Sequence, residues 1–508
     1  MSASSPAVQH AGMTARSSNR SYAGRLLLAA LFAALLGGCA SAPALPPEVT
    51  PQASAHALQH RSLLDPRLQR FIALQTGTPH PIAQPWTLQD LSLAALYFHP
   101  SLKVGRADAQ LAQADLQIAR QYPNPSLQFG LKYGAAAGLL APSPWTVGMA
   151  IGLLLQSQAQ RTSETSRAEA GVHAAQLLLS GARWTVRDQV QQAYVSLWAA
   201  QQRVHLQQRV LETDLALQGR TAARAQAGVD SPLAAALAQQ AAQNAALQKS
   251  RDIGAEGAAR VALAGAMGLP IAALQGMKID FSALHSLPTL PDATQLTQLR
   301  RKALEQRDDV RAAWQEVLSA QAALRLAQAQ SDGGPPSIAP GAERDQGVNR
   351  LMLGARIPLP LFNQHQGQIA AARARLSLRE ALLKQTQARV LVRIERTETA
   401  LQAAQDRVRQ AEQLIAANRA LLNADLAAQH RGLLGPEPAL RAQLRLLSTE
   451  QAALQARTDQ WQALGALQGA LEQPILSAAR SRPSNSAPPA VMPPTVAPHL
   501  SQVVWRKE

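Results

Sequence analysis

Two very long stretches without proline constrain this chain more than any other feature. No proline occurs from Trp145 to Ser231 or from Leu361 to Gly435, and both stretches are filled with Ala, Leu, Gln, Arg and Glu, which favour helix. A helix of about 70 residues is about 100 Å long at 1.5 Å per residue, far beyond the helices of globular domains. The two stretches also share a heptad register. Val190, Leu197, Val204 and Leu211 recur at seven-residue steps in the first, and Ile394, Leu401, Val408, Ile415 and Leu422 in the second. Position 394 lies 204 residues after 190, and 415 lies 204 after 211. Heptads predict helices that supercoil against neighbours, and the common offset predicts a duplicated unit.

Shorter segments upstream repeat as well. His99-Pro100-Ser101-Leu102 aligns with Arg307-Asp308-Asp309-Val310 at an offset of 208, and Ala112, Ala114, Leu116 and Ala119 meet Ala320, Ala322, Leu324 and Ala327. Each half therefore opens with a shorter helix, at roughly 87–121 and 293–330, before reaching its long one. Two repeats follow, 86–292 and 293–473, each ordered helix–strand–strand–helix–helix.

The section between short and long helix alternates with a period of two. Trp145, Val147, Met149, Ile151 and Leu153 are separated by Thr146, Gly148, Ala150 and Gly152, a strand with one large apolar face and one slim face. At an offset of 206, Leu351, Leu353, Ala355, Ile357 and Leu359 alternate with Met352, Gly354, Arg356 and Pro358. Leu127, Phe129, Leu131 and Tyr133 form a further strand against Gln128, Gly130, Lys132 and Gly134. Apolar residues on one face and small or polar ones on the other suit a membrane barrel with lipid outside and water inside. Leu127, Phe129, Leu131, Tyr133, Trp145, Val147, Met149, Ile151, Leu351, Leu353 and Ile357 are the expected lipid-facing positions. A fourth strand near 335–349 lacks clean alternation and is expected to be short, with a longer polar outer loop. Open sheet edges are excluded from hydrocarbon, so a barrel built from these strands needs partner chains.

The amino terminus supplies a compartment. Arg16, Arg20 and Arg25 precede the apolar run Leu26–Leu36, too short to span a bilayer as a helix but of signal-peptide length. Leu36-Gly37-Gly38-Cys39 resembles a bacterial lipobox, with Cys39 as the acylated residue; either Met1 or Met13 fits as the start. Residues 1–38 read as a signal peptide and 39–85 as an anchor and Pro/Ala-rich spacer, broken by a short helical stretch at Asp65 to Ala73. Ala40 after the cysteine, rather than an aspartate, suggests sorting to the outer membrane by resemblance to other lipoproteins. Cys39 is the only cysteine, so the chain forms no internal disulfide. Residues 474–508, rich in Pro, Ser and Ala, read as a disordered tail.

Composition agrees with an elongated, helical molecule. Hydrophobic residues make up 47% but aromatics only 4%, which points away from a conventional globular core. Removing the leader leaves 46 basic against 33 acidic residues, a net charge of +13. These cations are scattered along helices rather than gathered into a basic run with aromatics, so no nucleic-acid partner is expected. No phosphate-binding loop, dinucleotide fingerprint or nucleophile elbow is present. His56 and His60 stand four apart, as helical zinc ligands would, but lie in the Pro/Ala-rich spacer with no third ligand of matching spacing. No catalytic residue, cofactor or metal site is expected, and a transport function would draw its energy from a partner.

Specific words in the sequence resemble the TolC-like outer-membrane factors. Tyr122-Pro-Asn-Pro-Ser-Leu127 is similar to the motif by which these proteins leave a periplasmic helix for a barrel strand. Ile357-Pro-Leu-Pro-Leu-Phe-Asn-Gln-His-Gln-Gly-Gln-Ile369 resembles the family's turn from strand into long helix, with Pro358, Pro360, Phe362 and Gly367 as its marks. Leu64-Asp-Pro-Arg-Leu68…Phe71 and Trp86-x-Leu88…His99-Pro100 resemble the heavy-metal branch associated with RND-type pumps. The chain departs from the pattern at Leu153-Leu154-Leu155, where a Pro-Leu-Pro is expected, and in its strongly basic balance.

The resemblance implies a mainly α fold with a small β part: a homotrimer combining a twelve-stranded transmembrane β-barrel with a tunnel of twelve long helices in the periplasm. It implies a passive exit duct working with a periplasmic adaptor and an inner-membrane pump, and carrying heavy-metal cations or small toxic compounds. Gly228, Val229, Gly432 and Leu433, in the turns at the far ends of the long helices, would contact the adaptor. Asp230 and Glu437 would line the aperture; Asp230 is equally readable as a helix cap. Two other readings remain open: a periplasmic coiled-coil adaptor or scaffold lipoprotein, which leaves the strands idle, and a type I protein-secretion channel.

Overall fold

A computed structural model describes residues 49–78, 80–81, 84–134, 143–286, 292–331, 334–345 and 347–474. The leader with Cys39, the carboxy-terminal tail and most of the 134–144 connection lie outside the described residues. Helix α1 (Pro51–Gln59) belongs to a separate unit ending at Gln59, and all its residues are exposed. The described residues from His60 onward form one body.

That body follows the duplicated order. The first repeat has α3 (Leu88–Phe98), α4 (Pro100–Arg120), β1 (Ser126–Tyr133), β2 (Trp145–Leu154), α5 (Gln158–Gln226) and α6 (Pro232–Met267). The second has α7 (Ala293–Gln306), α8 (Asp308–Ala329), β3 (Ser337–Asp345), β4 (Val348–Arg356), α9 (Gln366–His430) and α10 (Pro436–Leu471). Helices α5 and α9 contain 69 and 65 residues. Helices α6 and α10 each contain 36 residues, and both their ends are 204 positions apart, the offset set by the heptads. Helices shown as single segments by their sequence pattern break in two, at His99 and at Arg307. Pro100 explains the first break, since proline pushes the residue before it out of the helical region; His99 is extended, with φ −60 and ψ 127.

The core sits where the short helices cross the middle of α5 and the ends of α6 and α10. Leu91, Val190, Leu197, Leu263, Met267, Ile394 and Leu464 are fully buried there. Burying each such side chain contributes about 1.5–3 kcal/mol. Helix α2 (Pro66–Thr76) joins this core through Leu68 and Ile72, and Leu63 precedes it. The short helical stretch expected at Asp65 to Ala73, inside the Pro/Ala-rich spacer, is thus α2, and it packs into the core. Asp65 starts α2 by accepting a hydrogen bond from the Arg67 amide at 2.8 Å. Heptad positions farther along, such as Val204, Leu211, Ile415 and Leu422, are only half-buried.

The four strands form one antiparallel sheet in the order β1-β2-β3-β4. Both repeats contribute, joined through β2 and β3. The segment without clean alternation is a full strand: β3 pairs along its whole length with β4. Only two residues, 346 and 347, separate it from β4, with Gly347 at φ 96, so the long loop expected is not there. The long connection is instead 134–144, between β1 and β2.

Candidate functional site

The register fixes which side chains share a face of the sheet. Leu127, Phe129, Leu131 and Tyr133 stand opposite Ile151, Met149, Val147 and Trp145. The same face continues through Ile338, Pro340 and Ala342 to Ala355, Leu353 and Leu351. The large residues on it are exposed, Leu351 by 92% and Leu353 by 77%. The other face carries Gly130, Gly148, Ala150, Gly152, Gly341 and Gly354 along its middle, with Lys132, Glu343, Asp345 and Arg350 at one end. There Arg350 pairs with Asp345 at 2.7 Å, and the Thr146 hydroxyl donates to Asp345 at 2.6 Å. Among the described residues the outer edges of β1 and β4 have no strand partner. Strand β4 ends at Arg356, so Ile357 lies just beyond it, 69% exposed.

The two passages from strand to long helix differ. From β2 only residues 155–157 intervene, and Ser157 caps α5 in a reciprocal box with Gln160. From β4 the chain runs through 357–365, where Pro358 and Pro360 keep it out of helix. Phe362 is fully exposed. The Asn363 side chain accepts from the His365 amide at 2.9 Å, and His365 takes a left-handed conformation at φ 59 before α9 begins. Gly367 is already helical, at the second position of α9, rather than in the turn.

At the opposite ends of the long helices are two matching tips. Gly228 (φ 73) and Gly432 (φ 71) take the left-handed conformation that closes a helix. The Val229 amide donates to the Arg224 carbonyl at 2.8 Å, and the Leu433 amide to the Ala428 carbonyl at 2.9 Å. Val229 and Leu433 are exposed. Pro232 and Pro436 then open the return helices. Asp230 is not the cap of α6; Ser231 is, accepting from the Ala234 amide at 3.1 Å. Asp230 is gripped by Arg224 through two contacts, at 2.8 and 3.2 Å, and Arg224 lies 3.9 Å from Glu437. The Arg224 hydrogen bond holds the Asp230 carboxyl below its usual range. The two acidic residues singled out in the sequence therefore share one cation across the seam between the repeats.

That seam is polar elsewhere too. Moving away from the tips, Arg209 meets Glu450 at 2.9 Å, Gln451 donates to Gln207 at 3.0 Å, Arg203 donates to Gln455 at 2.9 Å and Gln462 to Ser196 at 3.3 Å. Helices α5 and α10 thus run antiparallel in a constant register. Sequence reasoning missed one buried cluster at the other end. Arg307 donates to the carbonyls of Gly469 and Ala470 and pairs with Asp309 and Glu472. At the matching corner of the first repeat Arg61, from the segment that precedes it, has the same task, donating to the carbonyls of Phe98 at 3.1 Å and Gly268 at 2.7 Å. Apart from Asp309 these partners are far apart in sequence, and only the 208-residue alignment of His99 with Arg307 hinted at the position. Among the described residues no group of three or more His, Cys, Asp or Glu is placed to hold a metal.

The outer membrane efflux protein family model matches residues 91–269 and 299–472, the two repeats. The cobalt-zinc-cadmium resistance protein CzcC of Cupriavidus metallidurans is 26% identical over 298 residues, covering 58% of this chain and 68% of that protein. A membrane protein from Pseudomonas aeruginosa superposes with a TM-score of 0.63 at 20% identity, over 76% of this chain and 93% of the other. VceC of Vibrio cholerae, an outer membrane protein, superposes with a TM-score of 0.62 at 19% identity, over 80% and 98% of the two chains. The fold is therefore the TolC-like one, mainly helical with a small β part, and the family is one of ducts. A periplasmic scaffold is ruled out by the same match. This chain belongs to the outer membrane efflux protein family, and it is an outer-membrane channel of the kind that serves tripartite efflux.

Proposed function

We propose that three copies of the chain join edge to edge through β4 and β1, closing a twelve-stranded barrel in the outer membrane. Helices α5, α6, α9 and α10 of each copy continue the conduit as twelve helices in the periplasm. The carrying observation is the sheet: large apolar side chains exposed on one face, small ones on the other, and both edges unpaired. Such a sheet satisfies its backbone in lipid only when closed. Leu127, Phe129, Leu131, Tyr133, Trp145, Val147, Met149, Ile151, Leu351 and Leu353 then face lipid, with Ile357 at the inner rim, and Cys39 carries the anchor.

The tips are the gate and the docking end. Val229 and Leu433, displayed by Gly228 and Gly432, meet the periplasmic adaptor, and the Arg224–Asp230–Glu437 cluster lines the aperture and ties the repeats together at rest. An inner-membrane pump of the RND type supplies the energy. Heavy-metal cations are the substrate class favoured, on the similarity to a cobalt-zinc-cadmium resistance protein and the upstream motifs. The test is conductance of the purified protein in planar bilayers: small steps in the wild type, enlarged in Arg224→Ala. A protein that never conducts, with or without Arg224, contradicts the duct. Unchanged tolerance of cobalt, zinc and cadmium in a deletion strain contradicts the substrate class alone.

A further inference from the structure

Six charged residues lie in the four strands: Lys132, Glu343, Arg344, Asp345, Arg350 and Arg356. The register puts five of them on the slim face. Arg344 is the exception: it stands opposite Val147 on β2 and Asn349 on β4, on the face of large apolar residues. It is exposed, and its side chain makes no hydrogen bond or ion pair with the described residues. The adjacent carboxylates, Glu343 and Asp345, point to the other face, so neither can neutralise it. Its depth is not arbitrary. Arg344 is the penultimate residue of β3, at the end of the sheet away from the helices. The next outward row on the same face is Tyr133 and Trp145, directly paired, with ring centroids 4.8 Å apart.

Aromatic residues in that arrangement mark the level of lipid headgroups. A charge on the lipid face is tolerated only near that level, and an arginine side chain is long enough to reach it from about 7 Å below, two residues along the strand. A guanidinium there meets the anionic groups of the outer leaflet, and its planar fork matches phosphate oxygens. We propose that Arg344, beside Tyr133 and Trp145, binds the phosphate of an outer-leaflet glycolipid. This inference rests on the barrel reading above, which sets that face towards lipid.

The probe is diphosphoryl lipid A added to delipidated wild-type oligomer, with the temperature of oligomer dissociation read on unboiled gels. The lipid is expected to raise that temperature, while the same lipid dephosphorylated, and inorganic pyrophosphate, leave it unchanged. Arg344→Gln is expected to need about tenfold more lipid for the same shift, the loss of one charge-assisted contact. Arg350→Gln, on the opposite face, keeps the wild-type dependence. Equal action of the dephosphorylated lipid on the wild type overturns the proposal, as does an unchanged lipid requirement in Arg344→Gln. A shift with pyrophosphate alone overturns the lipid source. If Arg344→Gln does not assemble, the two lipids compared on the wild type still decide. Absence of any wild-type oligomer strikes the barrel reading itself; an oligomer indifferent to lipid phosphate strikes this inference alone.

Discussion

The helical junction and the four-stranded sheet treat large apolar side chains in opposite ways. At the junction Leu197, Leu263, Met267, Ile394 and Leu464 are buried within a single chain, and Arg61 and Arg307 satisfy carbonyls at the helix corners. In the sheet Phe129, Met149, Leu351 and Leu353 stand exposed, and two strand edges have no partner among the described residues. In water such edges and such a face are an aggregation hazard. In lipid, with sister chains, the same face is solvated and the edges are paired. The junction needs only its own chain. The sheet needs a membrane and neighbours.

Substitutions that act on one region and spare the other sharpen this contrast. The largest effect is expected from Leu353→Arg, near the middle of the exposed face. A cation there costs about 2–4 kcal/mol at the bilayer midplane, once per copy, so the heat-sensitive oligomer should vanish from outer-membrane fractions. In a water-facing sheet the same change would be silent. Next is Leu464→Ala in the junction, where truncating a fully buried leucine costs about 2–5 kcal/mol. Denaturant unfolding followed by the helical signal should report the loss in the single chain and in the oligomer alike.

Gly341→Ala falls third and acts on the sheet alone. A β-carbon there would meet the Met149 carbonyl oxygen at 2.6 Å and the Ala150 β-carbon at 2.8 Å, and such overpacking costs about 1–3 kcal/mol. The oligomer should dissociate at lower temperature while the helical unfolding transition stays in place. The smallest effect concerns Asp214, buried on α5, whose carboxyl is pushed up by burial. A carboxyl raised on folding contributes stability that is full below its unfolded value, about 3.9, and is lost as pH rises through the folded value. Asp214→Asn should therefore stabilise the helices at neutral pH, and the gain should shrink towards pH 4 in unfolding curves. A gain that does not depend on pH would mean that Asp214 is not strained by its charge.

The parts legible in the sequence are those with long periodic signals. The heptads and their 204-residue offset marked both long helices, while the return helices and the paired tips at Gly228 and Gly432 came from the family resemblance. Strands β1, β2 and β4 were legible because Leu, Phe, Trp and Met alternate with Gly and Ala. Strand β3 was legible only as a short strand near 335–349, because its outward positions are Ile338, Pro340, Ala342 and Arg344, and only the first is a large apolar residue. Its neighbours supply the grease, and pairing fixes its register. The break at Arg307 was hidden because no proline marks it, and the cluster around it because Gly469, Ala470 and Glu472 are more than 160 positions away. The short helix expected at Asp65 to Ala73 is present as Pro66–Thr76, but the surrounding Pro/Ala-rich composition hid its packing, in which a few well-placed side chains, Leu63, Leu68 and Ile72, join the core.

Among the tip residues, chemistry was legible but partnership was not. Asp230 reads as a cap from its place before Pro232, and as a pore-lining acid only through the family resemblance. That Arg224 spans Asp230 and Glu437 depends on how α5 meets α10, and no local pattern encodes that meeting.

The most direct test weighs the particle. Native mass spectrometry of the protein extracted from outer membranes should give three chains that stay together in detergent and separate on heating. A single chain, stable in water without detergent, would mean that the sheet is finished within one molecule, and the conduit described here would not exist.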